Sequence, residues 1–188
     1  VCAGQPLAAA AGIAALRAGG NAVDAAVATA ATLGVVEPNM SGVGGDGFIM
    51  ISWRATGSVE VVNATGAAPL AATRARYAGG IPPRGLASVS TPGIVAGWGE
   101  AHARYGARPW AALFEDAIAY AEEGFPVTPT LATYLREAPT LLDHPTSRAI
   151  FAPDGRPLAA GATLRQADLA ATLRDLAAEG AHTLYRGA

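Results

Sequence analysis

The chain has 188 residues, 51% hydrophobic, 15% charged and 6% aromatic, with a formal charge of −2. That apolar content excludes a disordered chain, and the mild acidity with scattered cations excludes a binder built on a basic stripe. Every cation is arginine, and no run is denser than Arg74–Arg76, so nucleic acid is not expected as a partner. Cys2 stands alone, which allows no internal disulfide and no thiolate cluster. The longest apolar stretch, Ala25–Val36, is closed by Asp24 and Glu37. It falls short of the roughly 20 residues a bilayer requires, so no membrane partner is expected. The chain opens at Val1 without a charged leader, and the compartment stays open.

The first predicted element is a helix over 4–19, with Leu7, Ala11, Ala14, Ala15 and Ala18 sharing a face and Gly19-Gly20 ending it. Asn21 is then an N-cap, with Asp24 three residues on complementing the positive helix terminus. The following helix is small-sided almost all round, which suits close approach within a layered fold. Glu37-Pro38-Asn39 ends it. A Gly-rich turn over 41–47 leads into a strand at Phe48–Trp53, a hairpin turn at Thr56-Gly57 and a second strand at Ser58–Asn63. A short helix is expected over Pro69–Tyr77, a Gly/Pro loop over Gly79–Arg84 and a third strand over Leu86–Ser90. Helices follow at 93–105, 109–123, 129–142 and 166–179, and Asp154-Gly155 marks a turn. Helices, then strands, then helices give a mixed α/β or α+β class, without repeats or a linker.

Few motifs name a chemistry. Gly42-Val43-Gly44-Gly45-Asp46-Gly47 fits G-x-G-x-x-G. That motif cradles a pyrophosphate only when it follows a strand and opens a helix, and here the order is reversed. The glycines are expected instead to supply positive φ and close packing at the strand entry. His102, His144 and His182 fall on separate elements without ligand spacing, so no metal is expected. Glu37 reads as a turn partner, and Glu115-Asp116 and Glu122-Glu123 as solvated helix faces. No G-x-S-x-G elbow is present.

Longer stretches are more specific. Leu16-Arg17-Ala18-Gly19-Gly20-Asn21-Ala22-Val23-Asp24-Ala25-Ala26-Val27, Val35-Val36-Glu37-Pro38 and Ser41-Gly42-Val43-Gly44-Gly45-Asp46-Gly47-Phe48 resemble the start of the gamma-glutamyltranspeptidase family. Pro92-Gly93-Ile94-Val95-Ala96-Gly97, Ala121-Glu122-Glu123-Gly124-Phe125-Pro126-Val127 and Leu184-Tyr185-Arg186-Gly187 extend the resemblance, in order, across essentially the whole chain. The resemblance implies an N-terminal nucleophile hydrolase, α+β, with an αββα four-layer sandwich of which this chain supplies a helix-rich part. It also implies a proenzyme that cleaves itself, and a small C-terminal subunit from the same precursor as partner. The new N-terminal Thr of that subunit attacks a small-molecule amide with its own amine as base. An oxyanion hole of backbone N–H groups stabilises the intermediate, and no cofactor is implied.

Two departures from the family pattern follow. Residues 1–188 correspond to the N-terminal part of a large subunit, ending about midway through it, so the nucleophile lies outside the chain and no catalytic residue is assigned within it. Such a piece alone is expected to be inactive and to associate through exposed apolar surface; monodisperse monomers in light scattering with a cooperative melt would contradict this. Secondly, the transpeptidases hold the glutamyl α-carboxylate with an Arg in N-A-R-E-x-A-P. Here the matching stretch is Asn63-Ala64-Thr65-Gly66-Ala67-Ala68-Pro69, with Thr65 at the Arg position and Gly66 at the Glu position. A bidentate Arg–carboxylate fork contributes about 1.5–3 kcal/mol per bond, whereas a Thr hydroxyl offers one neutral donor. Unless Arg54, Arg74 or Arg76 supplies the charge, Thr65 as substrate-binding residue favours another amide, of acylase or amidohydrolase type. Asp46 and the Pro92–Trp98 stretch lean the same way. A true gamma-glutamyltransferase or glutathione hydrolase and a non-catalytic homologue stay open.

Overall fold

The computed structural model describes residues 1–83 and 85–187, with Pro139 and Leu141 described by backbone alone. The chain forms two compact units, one of residues 1–42 and 106–188, the other of residues 43–105. Helix α1 (Pro6–Arg17) begins where the Gln5 side-chain carbonyl accepts the amides of Leu7 and Ala8, with proline at the first position. Helix α2 (Ala22–Val36) starts on a capping box. Asn21 Oδ1 accepts from Val23 N (2.8 Å) and Asp24 N (3.2 Å), and Asp24 Oδ2 accepts from Asn21 N (2.8 Å). The two helices lie close because Gly12 has no side chain: a Cβ there would stand 2.2 Å from Thr29 Oγ1.

The second unit is a hairpin under a helix. Strands β1 (Gly47–Ser52) and β2 (Val59–Ala64) pair antiparallel, Phe48 opposite Asn63 and Met50 opposite Val61. Gly57 turns the chain at φ 70°. Period-two alternation sends Val62 and Ala64 under helix α3 (Ile94–Tyr105), where Gly97 admits Ala64 and Ile49. The opposite face carries Phe48, Met50, Val59 and Val61, each more than half exposed, which is the apolar surface behind the expected association of the isolated chain. At the turn end, Glu60 accepts from Trp53 Nε1 (2.8 Å) and from the Tyr105 hydroxyl, tying the hairpin to the end of α3. Those two bonds, the one from Tyr105 foremost, hold the Glu60 carboxyl below its ordinary range. The tie is therefore in place above that range and fades as pH falls through the lowered value.

The first unit resumes with helix α4 (Glu115–Glu123), strand β3 (Phe125–Pro126), helices α5 (Pro129–Glu137) and α6 (Pro145–Phe151), strand β4 (Thr163–Leu164), helix α7 (Ala167–Glu179) and the short α8 (Thr183–Arg186). Helix α4 packs on α2 and α7, burying Ala117, Ala121, Leu173 and Leu176. Strands β3 and β4 pair antiparallel. Gln166 links the layers: its N–H bonds Ala121 O (2.8 Å) and its Nε2 bonds Val35 O (2.9 Å). Buried Asp24 receives Ala107 N (3.1 and 3.2 Å) and Arg108 N (3.3 Å), joining the start of α2 to the chain's re-entry into this unit.

The class is helix-rich α+β, as expected, and most elements stand within two residues of their predicted bounds. The exceptions have physical reasons. Residues 69–77 form successive turns, because they bury no face against which a short helix could be held. Leu86–Ser88 is a 3₁₀ turn, closed by the Ser88 amide (3.0 Å) and hydroxyl (2.7 Å) on Gly85 O, and no strand among the described residues pairs with it. The segments 109–123 and 129–142 each divide into a 3₁₀ turn and an α-helix. In α1 the buried residues are Ala8, Ala11 and Gly12, while Ala14 and Ala18 face solvent. Arg84, at the end of the expected Gly/Pro loop, lies outside the described residues.

Candidate functional site

The site grows from the end of β2. Ala64 is buried, and its carbonyl lies so near Gly93 that a Cβ on Gly93 would stand 2.3 Å from it. Asn63 and Thr65 therefore point away from that contact and are both exposed. Asn63 Oδ1 accepts from Thr65 N (3.0 Å) and from Thr65 Oγ1 (2.6 Å), a local turn made possible by the Asn-x-Thr spacing. Thr65 N–H can only donate, so the atom facing it is the Asn63 carbonyl oxygen, and the amide group Nδ2 takes the other side.

Gly66 decides the next contact. A Cβ there would lie 1.4 Å from Thr91 O and 2.4 Å from Thr91 C. Only glycine admits this backbone-on-backbone approach. Gly66→Ala is expected to displace the Thr91–Gly93 segment at a cost of about 2–4 kcal/mol, read as a lowered melting midpoint of the full-length protein; an unchanged midpoint would contradict it.

The entry to β1 meets the same segment. Gly45 O accepts from Gly93 N (3.0 Å) and Ile94 N (3.1 Å), and Ser90 Oγ donates to Asp46 Oδ2 (2.9 Å). Residues 45–46, 64–66 and 90–94 thus form one corner of the second unit, with Asp46 as a fixed negative charge. No arginine side chain among the described residues is hydrogen-bonded to Thr65 or Asn63, and Arg54, Arg74 and Arg76 are exposed.

The glycine run behaves differently from expectation. None of Gly42, Gly44, Gly45 and Gly47 has positive φ, and Cβ atoms at Gly42 and Gly44 would meet nothing within 4 Å. Only the packing half of the expectation holds, at Gly47, where a Cβ would stand 3.3 Å from Ile94 Cδ1. The amides at the start of α3 are already bonded to Gly45 O, which leaves them unsuited to a pyrophosphate.

The remaining candidates stay apart. His102 lies on α3, His144 Nδ1 meets Thr146 Oγ1 (2.7 Å), and His182 precedes α8. Among the described residues no group of three His, Cys, Asp or Glu is placed to hold a metal, and no helix is long and apolar enough to cross a membrane. Glu37 ends α2 with its carboxylate over Gly4, and Glu122 pairs with Arg174.

The gamma-glutamyltranspeptidase family model matches residues 8–188. The chain belongs to that family. As a gamma-glutamyltranspeptidase-family chain it is 37% identical over 179 residues to glutathione hydrolase 3 of Arabidopsis thaliana, covering 94% of this chain and 28% of the relative. It is 41% identical over 197 residues to the acylase ACY 1 proenzyme of Pseudomonas sp. strain SE83, covering 97% and 35%. The gamma-glutamyltranspeptidase of Helicobacter pylori superposes with a TM-score of 0.93 at 33% identity, over 99% of this chain and 56% of that one. The fold is accordingly that of the N-terminal nucleophile hydrolases. The chain spans about a third of the length of the curated relatives it matches. A glutathione hydrolase and an acylase lie at nearly equal identity, so family membership leaves the substrate to be argued from the residues.

The sequence names Thr65 and places Gly66 beside it, but shows neither the part of Asn63 nor the contact of Gly66. Asn63 was legible in principle, since Asn two residues before Thr is a turn signal. Gly66 as an obligatory contact was not, because Thr91 lies 25 positions away in the chain.

Proposed function

We propose that this chain is the N-terminal part of the large subunit of an amide-cleaving N-terminal nucleophile hydrolase whose specificity is not gamma-glutamyl. The attacking Thr belongs to the small subunit made from the same precursor, which is the chain's principal partner. It attacks a small-molecule amide, an acyl-enzyme forms, and water or an amine releases the acyl group. No cofactor is needed for that sequence of steps. Thr65 stands at the substrate-binding position.

The observation that carries the specificity is the corner at Thr65–Gly66. A fixed cation grips a glutamyl α-carboxylate most strongly, and here the position holds a neutral hydroxyl, a glycine pressed on Thr91 O, and Asp46 held by Ser90 on the same segment. Thr65 and Gly66 act together here, since any Cβ at 66 in this backbone would strike Thr91 O. An acylase-type or amidohydrolase-type substrate, whose acyl group lacks the α-carboxylate, suits that corner. Similarity to the Arabidopsis glutathione hydrolase favours the rival reading, which then requires a cation from elsewhere in the protein.

The test is hydrolysis of paired donors by the full-length processed enzyme: a gamma-glutamyl amide, and the same amide without its α-carboxylate. Faster turnover of the second supports the proposal. A clear preference for the gamma-glutamyl donor overturns it.

A further inference from the structure

We infer that the side-chain amide of Asn63 is the hydrogen-bond donor this site offers to the acyl group, with Thr65 as the residue that positions it. The acyl groups accepted then carry a neutral oxygen acceptor. This rests on the substrate site proposed above and specifies what that site recognises.

The geometry leads there in three steps. Thr65 gives both its N–H and its hydroxyl proton to Asn63 Oδ1, at 3.0 and 2.6 Å. Its hydroxyl has a single proton, so Thr65 keeps only lone pairs for anything that approaches. Asn63 Oδ1, held by two donors, fixes the amide plane and turns Nδ2 outward. Nδ2 makes no hydrogen bond among the described residues, and Asn63 is exposed. The polar groups this corner presents include the Asn63 NH₂ as donor, the Thr65 oxygen as acceptor and the Asp46 carboxylate with the Ser90 hydroxyl on it.

An NH₂ donor carries no full charge, and a fixed carboxylate on the adjoining segment repels a second one. Asn63 therefore suits a carbonyl, amide or hydroxyl oxygen on the acyl group. Packing places it: Phe48 is its cross-strand partner, and Ala64, the next residue, is pinned beneath Gly93. The backbone on both sides of the amide is thus anchored, which lets a neutral bond discriminate between substrates instead of merely adapting to them.

The decisive variant is Asn63→Asp in the full-length processed enzyme. Its carboxylate still accepts both bonds from Thr65, so the turn is retained, while the outward NH₂ becomes an anionic oxygen. The probes are two acyl amides matched in size, one with a neutral oxygen on the acyl chain and one with a methylene in its place. The wild type is expected to favour the oxygen-bearing donor about tenfold in kcat/KM, and N63D to lose that preference through a raised KM with kcat little changed. Thr65→Ser is expected to keep the preference and Thr65→Val to lose part of it. An N63D enzyme that melts like the wild type and keeps its preference overturns the role of Asn63. Equal preference in T65V and the wild type overturns the positioning role of Thr65. A wild type that prefers gamma-glutamyl donors to both probes overturns the substrate proposal itself. A wild type that rejects gamma-glutamyl donors while N63D keeps the wild-type preference between the probes overturns only the inference about Asn63.

Discussion

Thr65→Arg in the full-length enzyme is expected to raise kcat/KM for a gamma-glutamyl amide about 10–100-fold, mainly by lowering KM. A guanidinium at this position can grip the α-carboxylate with two charge-assisted bonds, each contributing about 1.5–3 kcal/mol before the cost of ordering the side chain. Thr65 is exposed, so the longer side chain meets no buried neighbour, and solvent screening keeps the gain below the sum of two ideal bonds. The α-carboxylate is held alike in the ground and transition states, and uniform binding of that kind appears in KM. Gly66 should be left alone in this variant, since any Cβ there strikes Thr91 O. If the wild type already hydrolyses gamma-glutamyl amides strongly and T65R adds nothing, the cation comes from elsewhere and the specificity proposal fails.

Asp24→Ala is the variant expected to cost most stability, about 3–5 kcal/mol. The carboxylate is fully buried and accepts from Asn21 N, Ala107 N and Arg108 N. Alanine leaves these N–H groups without their acceptor and removes the negative charge from the start of α2. Asp24→Asn keeps the shape but turns an NH₂ toward groups that themselves donate, so it should recover only part of the loss. Thermal unfolding and soluble yield of the full-length protein are the readouts. A D24A protein that melts with the wild type would show that the capping box and the tie to residues 107–108 are dispensable.

How much of this was readable from the chain depends on how far the deciding contact lies along it. The cap at Asn21 and Asp24 spans three positions and was read correctly, as were the hairpin about Gly57 and the helix end at 123. The helix expected at 69–77 failed because propensity was satisfied locally while no apolar face was buried. The strand expected at 86–90 failed because strands need a partner, and no periodicity reports whether an edge is available. The glycines of 42–47 were read as a conformational requirement; their φ values lie in the ordinary range. At the candidate site Thr65 stood out only against the family pattern, whereas Asn63 was hidden by its ordinariness.

The sequence by itself determined the family, the α+β class and the absence of an arginine at position 65, because these reside in residue identity and short-range order. The tertiary structure decided the surroundings of that position. It laid Gly66 on Thr91, brought Asp46 to Ser90, and turned the proton of Thr65 onto Asn63. The first two join positions 25 and 44 residues apart in the chain, where loop closure and packing, rather than local propensity, choose the neighbour. The third is local, and the contact of Ala64 with Gly93 anchors the turn that carries it.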